Sequence, residues 1–255
     1  MIKRFLCSLV YLMVGCGLCQ GGDSAKQAWT NLVGEKFAKR APFAYVENKD
    51  TLPNVLIYGD SISIAYTDTV RKELEGKANV YRLWCNGGDS SSFVGKVDKM
   101  ETVMREPGLK GGWDFDWDVI HFNVGLHDLK YVLKGQLNRE EGAQVSSITA
   151  YKENLRGIIK YLRSHYGQAK LIFGTTTPVP EGAAGRDAGD SVKYNKAALE
   201  VISEFPEIMV NDLYALSKPH QKEWWTKPGN VHFAKAGYEA QGKAVAERVL
   251  QSLGN

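Results

Sequence analysis

Short apolar runs alternate with longer amphipathic stretches along most of this chain, and that alternation leaves few folds open. The strand candidates are 54–58, 79–84, 118–124, 169–175 and 207–211. The helix candidates that follow them are 64–75, 91–105, 149–166, 190–204 and 235–252. The strands are nearly all apolar, as strands covered on both faces are. Helical crossovers between such strands imply parallel pairing. The pattern predicts an α/β protein, a three-layer α/β/α sandwich on a five-stranded parallel sheet. One further helix is expected over 24–40, where Trp29, Leu32, Val33 and Phe37 recur at helical spacing. Segments 107–117 and 181–189 read as surface loops, the second flexible enough to join a rim.

Sites in such sheets form at the carboxyl ends of the strands. Polar motifs fall there: Gly59-Asp60-Ser61 after the first strand, Asn86-Gly87-Gly88-Asp89 after the second, Gly125-Leu126-His127-Asp128 after the third. The fourth strand leads into Thr175-Thr176-Thr177-Pro178-Val179-Pro180. A serine at a strand-to-helix turn presents its hydroxyl outward, beside free backbone N–H groups. That suits a nucleophile with part of an oxyanion hole; read alone, Gly-Asp-Ser favours a helix cap, and the rest of the chain shifts the balance. His232, on a loop before the last helix, supplies a base for such a serine.

Composition excludes several alternatives. Net charge is +3, from 32 Lys and Arg against 29 Asp and Glu, which makes no case for nucleic acid. Residues 1–20 open with Lys3 and Arg4, continue through a short apolar run from Phe5 to Val14, and end in small residues. They read as a signal peptide, with Met13-Val14-Gly15-Cys16 loosely like a lipoprotein cleavage box. The apolar run falls short of the ~20 residues a membrane span needs, so no integral membrane segment is expected after the signal is removed. A single domain over 21–255 and a secreted or periplasmic location follow, with lipid anchoring at the cell envelope as the variant. Cys7, Cys16 and Cys19 lie in the leader, which leaves Cys85 without a disulfide partner. His121 falls inside the third strand, away from its carboxyl end, and no metal-ligand spacing appears. No metal and no cofactor are expected.

The four blocks resemble those of the SGNH/GDSL hydrolase superfamily of serine esterases and lipases, over roughly 54–252. The resemblance implies the flavodoxin-like fold of that superfamily, with Ser61 as nucleophile and His232 as base. It implies an oxyanion hole from the N–H of Ser61, the N–H of Gly88 (Gly87 being the other choice) and the third block. Two positions depart from the family pattern. His127 stands where the third block has Asn, and an imidazole N–H can donate as an amide does, given the right tautomer. Gly229 stands where the last block has the triad Asp. Asn230 cannot replace that acid electrostatically and is assigned to substrate binding with Asp60 and Trp225. A Ser–His dyad oriented by a backbone carbonyl remains open; otherwise the supporting acid is Asp212 or Asp128.

Trp224-Trp225 shortly before His232 offers flat faces for sugar rings, whereas Trp113 and Trp117 read as core or rim. The resemblance then implies a secreted esterase that removes small acyl groups, chiefly acetyl, from carbohydrate. The rivals are a lipid or thioester hydrolase on the same fold, and a degenerate, non-catalytic carbohydrate-binding protein. The expected partner is an acylated carbohydrate or other small ester.

Overall fold

A computed structural model of the chain describes residues 24–254. The leader expected over 1–20, with three of the four cysteines, lies outside the described residues.

The chain enters through α1 (Ala25–Val33) and α2 (Glu35–Ala38). The single helix expected over 24–40 is broken at Gly34, whose φ of 87° no helical residue adopts. Then follow β1 (Asn54–Tyr58), α3 (Ser61–Glu73), β2 (Asn79–Arg82), α4 (Phe93–Met104) and β3 (Val119–Phe122). A small three-stranded antiparallel sheet comes next: β4 (Tyr131–Leu133), β5 (Gln136–Leu137) and β6 (Ala143–Gln144). The remainder is α5 (Ile148–His165), β7 (Lys170–Gly174), α6 (Asp190–Ile202), β8 (Met209–Asn211), α7 (Leu213–Ser217), α8 (Gln221–Trp224) and α9 (Lys235–Leu253).

The main sheet has five parallel strands in the order β2-β1-β3-β7-β8. All five residues of β1 are buried, as are all of β2 and β3, because helices cover both faces. Aromatic rings fill the layer beneath the site: Tyr58 lies 4.0 Å from Phe93, and Phe122 lies 5.5 Å from Phe173. Trp113 and Trp117 belong to the core, clustered with Tyr81 and Phe115. His121 is buried in β3 with Nε2 on Asn211 Nδ2 at 3.2 Å, and burial pushes its pKa down to about 4. It is a neutral core histidine.

The strand order reverses beside β1: the chain steps to β2 on one side and then to β3 on the other. The carboxyl ends of β1 and β3 therefore flank a crevice with no crossover above it. Ser61 opens the helix leaving β1, and His127 follows β3, so both stand at this point. The loop carrying His232 is brought over it by α9, which packs on α3. The contact is close because Gly242 has no side chain; a Cβ there would lie 2.5 Å from Thr69 Cβ and 3.0 Å from Tyr66 O. Gly242→Ala is expected to lower stability by about 1–3 kcal/mol through overpacking. Chemical denaturation checks this; an unchanged midpoint would show that α3 and α9 can separate without cost.

Candidate active site

The turn after β1 is built by its own polar groups. Asp60 caps α3: its Oδ1 accepts from Ile62 N at 2.9 Å, and Ser63 Oγ donates back to Asp60 O at 2.7 Å. α3 starts at Ser61, three residues before the expected start, because this cap organises the first turn. Ser61 is its first residue, so its N–H has no acceptor one turn back. Arg82, buried at the end of β2, braces the turn by donating to Ser63 Oγ at 3.2 Å.

His232 reaches Ser61 across the crevice, with Nε2 2.9 Å from Oγ. Its other nitrogen, Nδ1, lies 2.8 Å from Asn230 Oδ1. The same oxygen accepts from the His232 backbone N–H at 3.0 Å. A backbone N–H can only donate, so the Asn230 atom facing it must be the carbonyl oxygen. Nδ1 must then carry a proton, and Nε2 is left with a lone pair aimed at the Ser61 hydroxyl. This is the tautomer a general base requires. Asn230 was assigned to substrate; the structure turns it instead onto the histidine, two residues along the same loop. It also removes the need for a backbone carbonyl to orient the ring.

Both candidates for the supporting acid are engaged elsewhere. Asp212 caps α7, accepting from Ala215 N at 3.0 Å and Thr175 Oγ1 at 2.9 Å. Asp128 is fully buried and accepts from Ser90 N at 3.0 Å and Ser90 Oγ at 2.5 Å, tying the third block to the second. Burial raises its pKa, and the Ser90 bonds oppose that rise. Asp60 was likewise assigned to substrate; it is 3% exposed and serves as the α3 cap.

The second block is pinned from below. Gly87 N donates to Gly59 O at 3.0 Å, and Tyr58 OH and Lys96 Nζ donate to Gly87 O at 2.9 and 2.7 Å. Gly88 takes a φ of +70°, and its N–H donates to Asn86 Oδ1 at 2.9 Å. Both amides have acceptors here: the Gly88 N–H, assigned from the sequence to the oxyanion hole, closes a side-chain turn with Asn86. The donors on hand are the Ser61 N–H and His127.

His127 follows Gly125, where a Cβ would lie 2.2 Å from Thr176 Oγ1, so the block is drawn tight against the loop after β7. The His127 ring is partly buried, with Nδ1 2.8 Å from Lys130 Nζ. Burial pushes its pKa down to about 4, so the ring is neutral at ordinary pH. Arg186 braces the same block, donating from Nε to Leu126 O at 3.2 Å. It is buried, and Tyr131 N donates to Gly185 O at 2.9 Å, so segment 181–189 is tethered where the sequence suggested a flexible rim.

Trp225 faces a cleft whose lining includes neither Ser61 nor His232. It lines that cleft, of about 670 Å³, with Pro180, Val192, Tyr214, Lys218 and Gly229. Gly229 precedes Asn230, so the cleft borders the histidine loop. The sequence named Asn86 only as the start of the second block and missed Lys130 and Arg186, which lie outside the four blocks.

A family model described as GDSL-like lipase/acylhydrolase matches residues 57–240. Among solved structures, the chain resembles a lipase/acylhydrolase from Enterococcus faecalis (18% identity, 77% of this chain and 95% of that one, TM-score 0.59). It also resembles a GDSL-like lipase from Bacteroides thetaiotaomicron (14% identity, 87% and 99%, TM-score 0.56). A third likeness is to a carbohydrate esterase family 2 enzyme with a carbohydrate-binding domain from Corynascus thermopiles (15% identity, 80% and 67%, TM-score 0.54). No curated protein matches the sequence. The five-stranded sheet agrees with the fold these structures share.

The contact between Asn230 and His232 generates a test. Asn230→Ala removes the acceptor that sets the ring and is expected to lower kcat for 4-nitrophenyl acetate roughly 10- to 10²-fold, a part of the ~10²–10⁴-fold that general-base action contributes. Asp212→Ala is expected to leave kcat little changed. A larger loss in Asp212→Ala than in Asn230→Ala would return the acid role to Asp212.

Proposed function

This chain belongs to the GDSL-like lipase/acylhydrolase family and is a carboxylic ester hydrolase, and from that premise we propose that it is a secreted serine esterase removing small acyl groups, chiefly acetyl, from carbohydrate. The observation that carries the mechanism is the 2.9 Å contact between Ser61 Oγ and His232 Nε2. Ser61 Oγ attacks the ester carbonyl carbon as His232 Nε2 takes its proton. Negative charge gathers on the carbonyl oxygen, beside the Ser61 N–H and His127. The C–O bond to the leaving alcohol breaks, and His232 returns the proton to that oxygen. Water repeats the sequence on the acyl-enzyme and releases the acid.

Asn230 holds the ring but brings no negative charge to the imidazolium that forms. An aspartate in the family position would do both. The oxyanion donors therefore bear more of the catalysis; one such donor is worth roughly 10²–10³-fold in a known protease.

The carbohydrate reading is supported by the cleft beside the histidine loop. Tyr214 and Trp225 give it aromatic faces. Lys218, Lys222 and Lys227 give it donors for hydroxyl groups. The fold likeness to a carbohydrate esterase accords with this. Secretion is supported by the leader residues, Lys3 and Arg4 ahead of a short apolar run.

Hydrolysis of 4-nitrophenyl acetate, butyrate and octanoate by the mature protein, followed by acetate release from native acetylated glycans, tests the proposal. Acetate is expected to be the preferred ester, with turnover collapsing in both Ser61→Ala and His232→Ala. Preference for octanoate would favour a lipid or thioester hydrolase. Glycan binding with no acetate release would favour a non-catalytic binding protein.

A further inference from the structure

We propose that Lys130 is a positioning residue that makes His127 an oxyanion donor, by fixing the proton of the neutral ring on Nε2. The inference rests on the Ser61–His232 esterase reading above and concerns the donor that replaces the family's asparagine.

The argument starts from what each side chain can do. An ammonium group has three donors and no lone pair. Lys130 Nζ lies 2.8 Å from His127 Nδ1, so Nδ1 must be the acceptor in that contact. The ring is neutral, because burial, with Lys130 and Arg186 adding to it, pushes its pKa down to about 4. A neutral imidazole has one N–H. With Nδ1 occupied by the lysine, that N–H sits on Nε2.

The consequence is specific to histidine. The NH2 group of an asparagine at this position always donates. A histidine has two neutral forms, and one of them would turn a lone pair toward the developing oxyanion, which repels it. Replacing asparagine by histidine therefore calls for a second residue that chooses the tautomer. Lys130, three residues on in the same turn, meets that need through its contact with Nδ1.

Burial lowers the pKa of both partners, and the charges around them act on both alike. Asp60, from the α3 cap, and Asp89, from the second block, favour the charged forms of His127 and Lys130. Arg186, from the loop after β7, opposes them at both groups. Burial outweighs the carboxylates at the histidine, so the ring stays neutral while the shorter-range contact with Lys130 sets its proton.

The test pairs a spectroscopic readout with a double-mutant cycle. Nitrogen chemical shifts of the His127 ring, from 15N-labelled protein, are expected to show the Nε2–H form in the wild type and in Lys130→Arg, and a mixture in Lys130→Met. In the wild-type background, Lys130→Met is expected to lower kcat about 10-fold with KM steady, part of the ~10²–10³-fold cost of a missing oxyanion donor. In a His127→Asn background the two losses are not expected to multiply, since an amide needs no tautomer set. An Nδ1–H ring in the wild type, or the same fractional loss in both backgrounds, would overturn the proposal. Absence of any ester turnover would defeat the esterase reading instead, and the ring shifts would still decide the lysine's role.

Discussion

Everything at this site depends on a hydrogen bond between two residues 171 positions apart, Ser61 and His232. One stands at the first residue of α3 and the other on the loop before α9. Their separation is set by how closely those two helices pack, which is why Gly242 must present bare backbone to Thr69. The parallel sheet contributes the other constraint. Its reversal beside β1 opens a crevice between the ends of β1 and β3, so the serine turn and the His127 block face one gap. Sheet order and helix contact together bring the reacting groups into register before any substrate arrives.

The electrostatics of the site differ from those of a triad with an aspartate. Asn230 fixes the His232 tautomer because two donors, one from the backbone, converge on its single carbonyl oxygen. Geometry is preserved while the stabilising charge is given up. The third block shows a parallel exchange, with a histidine standing where an amide is usual and a lysine against its Nδ1. In both places one ring nitrogen of a histidine is engaged by a neighbouring side chain. The proposed mechanism thus relies on hydrogen-bond direction at two imidazoles, with the nearest carboxylates spent on caps and turns.

Much of this was legible in the sequence. Five apolar runs separated by amphipathic segments specify a parallel sheet, and the observed strands fall within the expected ranges. Ser61 and His232 were legible because a strand-end serine and a loop histidine form a chemical pair. What was missed has physical reasons. Asn230 was judged by its charge, whereas its role depends on the direction of its amide. Asp212 and Asp128 carry the right charge but are consumed by local hydrogen bonds that no spacing reveals. Gly34 interrupts a helical periodicity that reads as continuous. The short strands β4 to β6 bury too little to leave a periodic trace, and Arg186 is drawn inward by a carbonyl distant in sequence.

The most direct measurement is covalent trapping of the nucleophile. The protein would be treated with a fluorophosphonate and the modified residue located by peptide mass spectrometry. The account expects one adduct, on Ser61 Oγ, with labelling strongly slowed in His232→Ala and less so in Asn230→Ala. Labelling at another residue, or a rate on Ser61 indifferent to His232, would contradict the claim that this serine and histidine act as one unit.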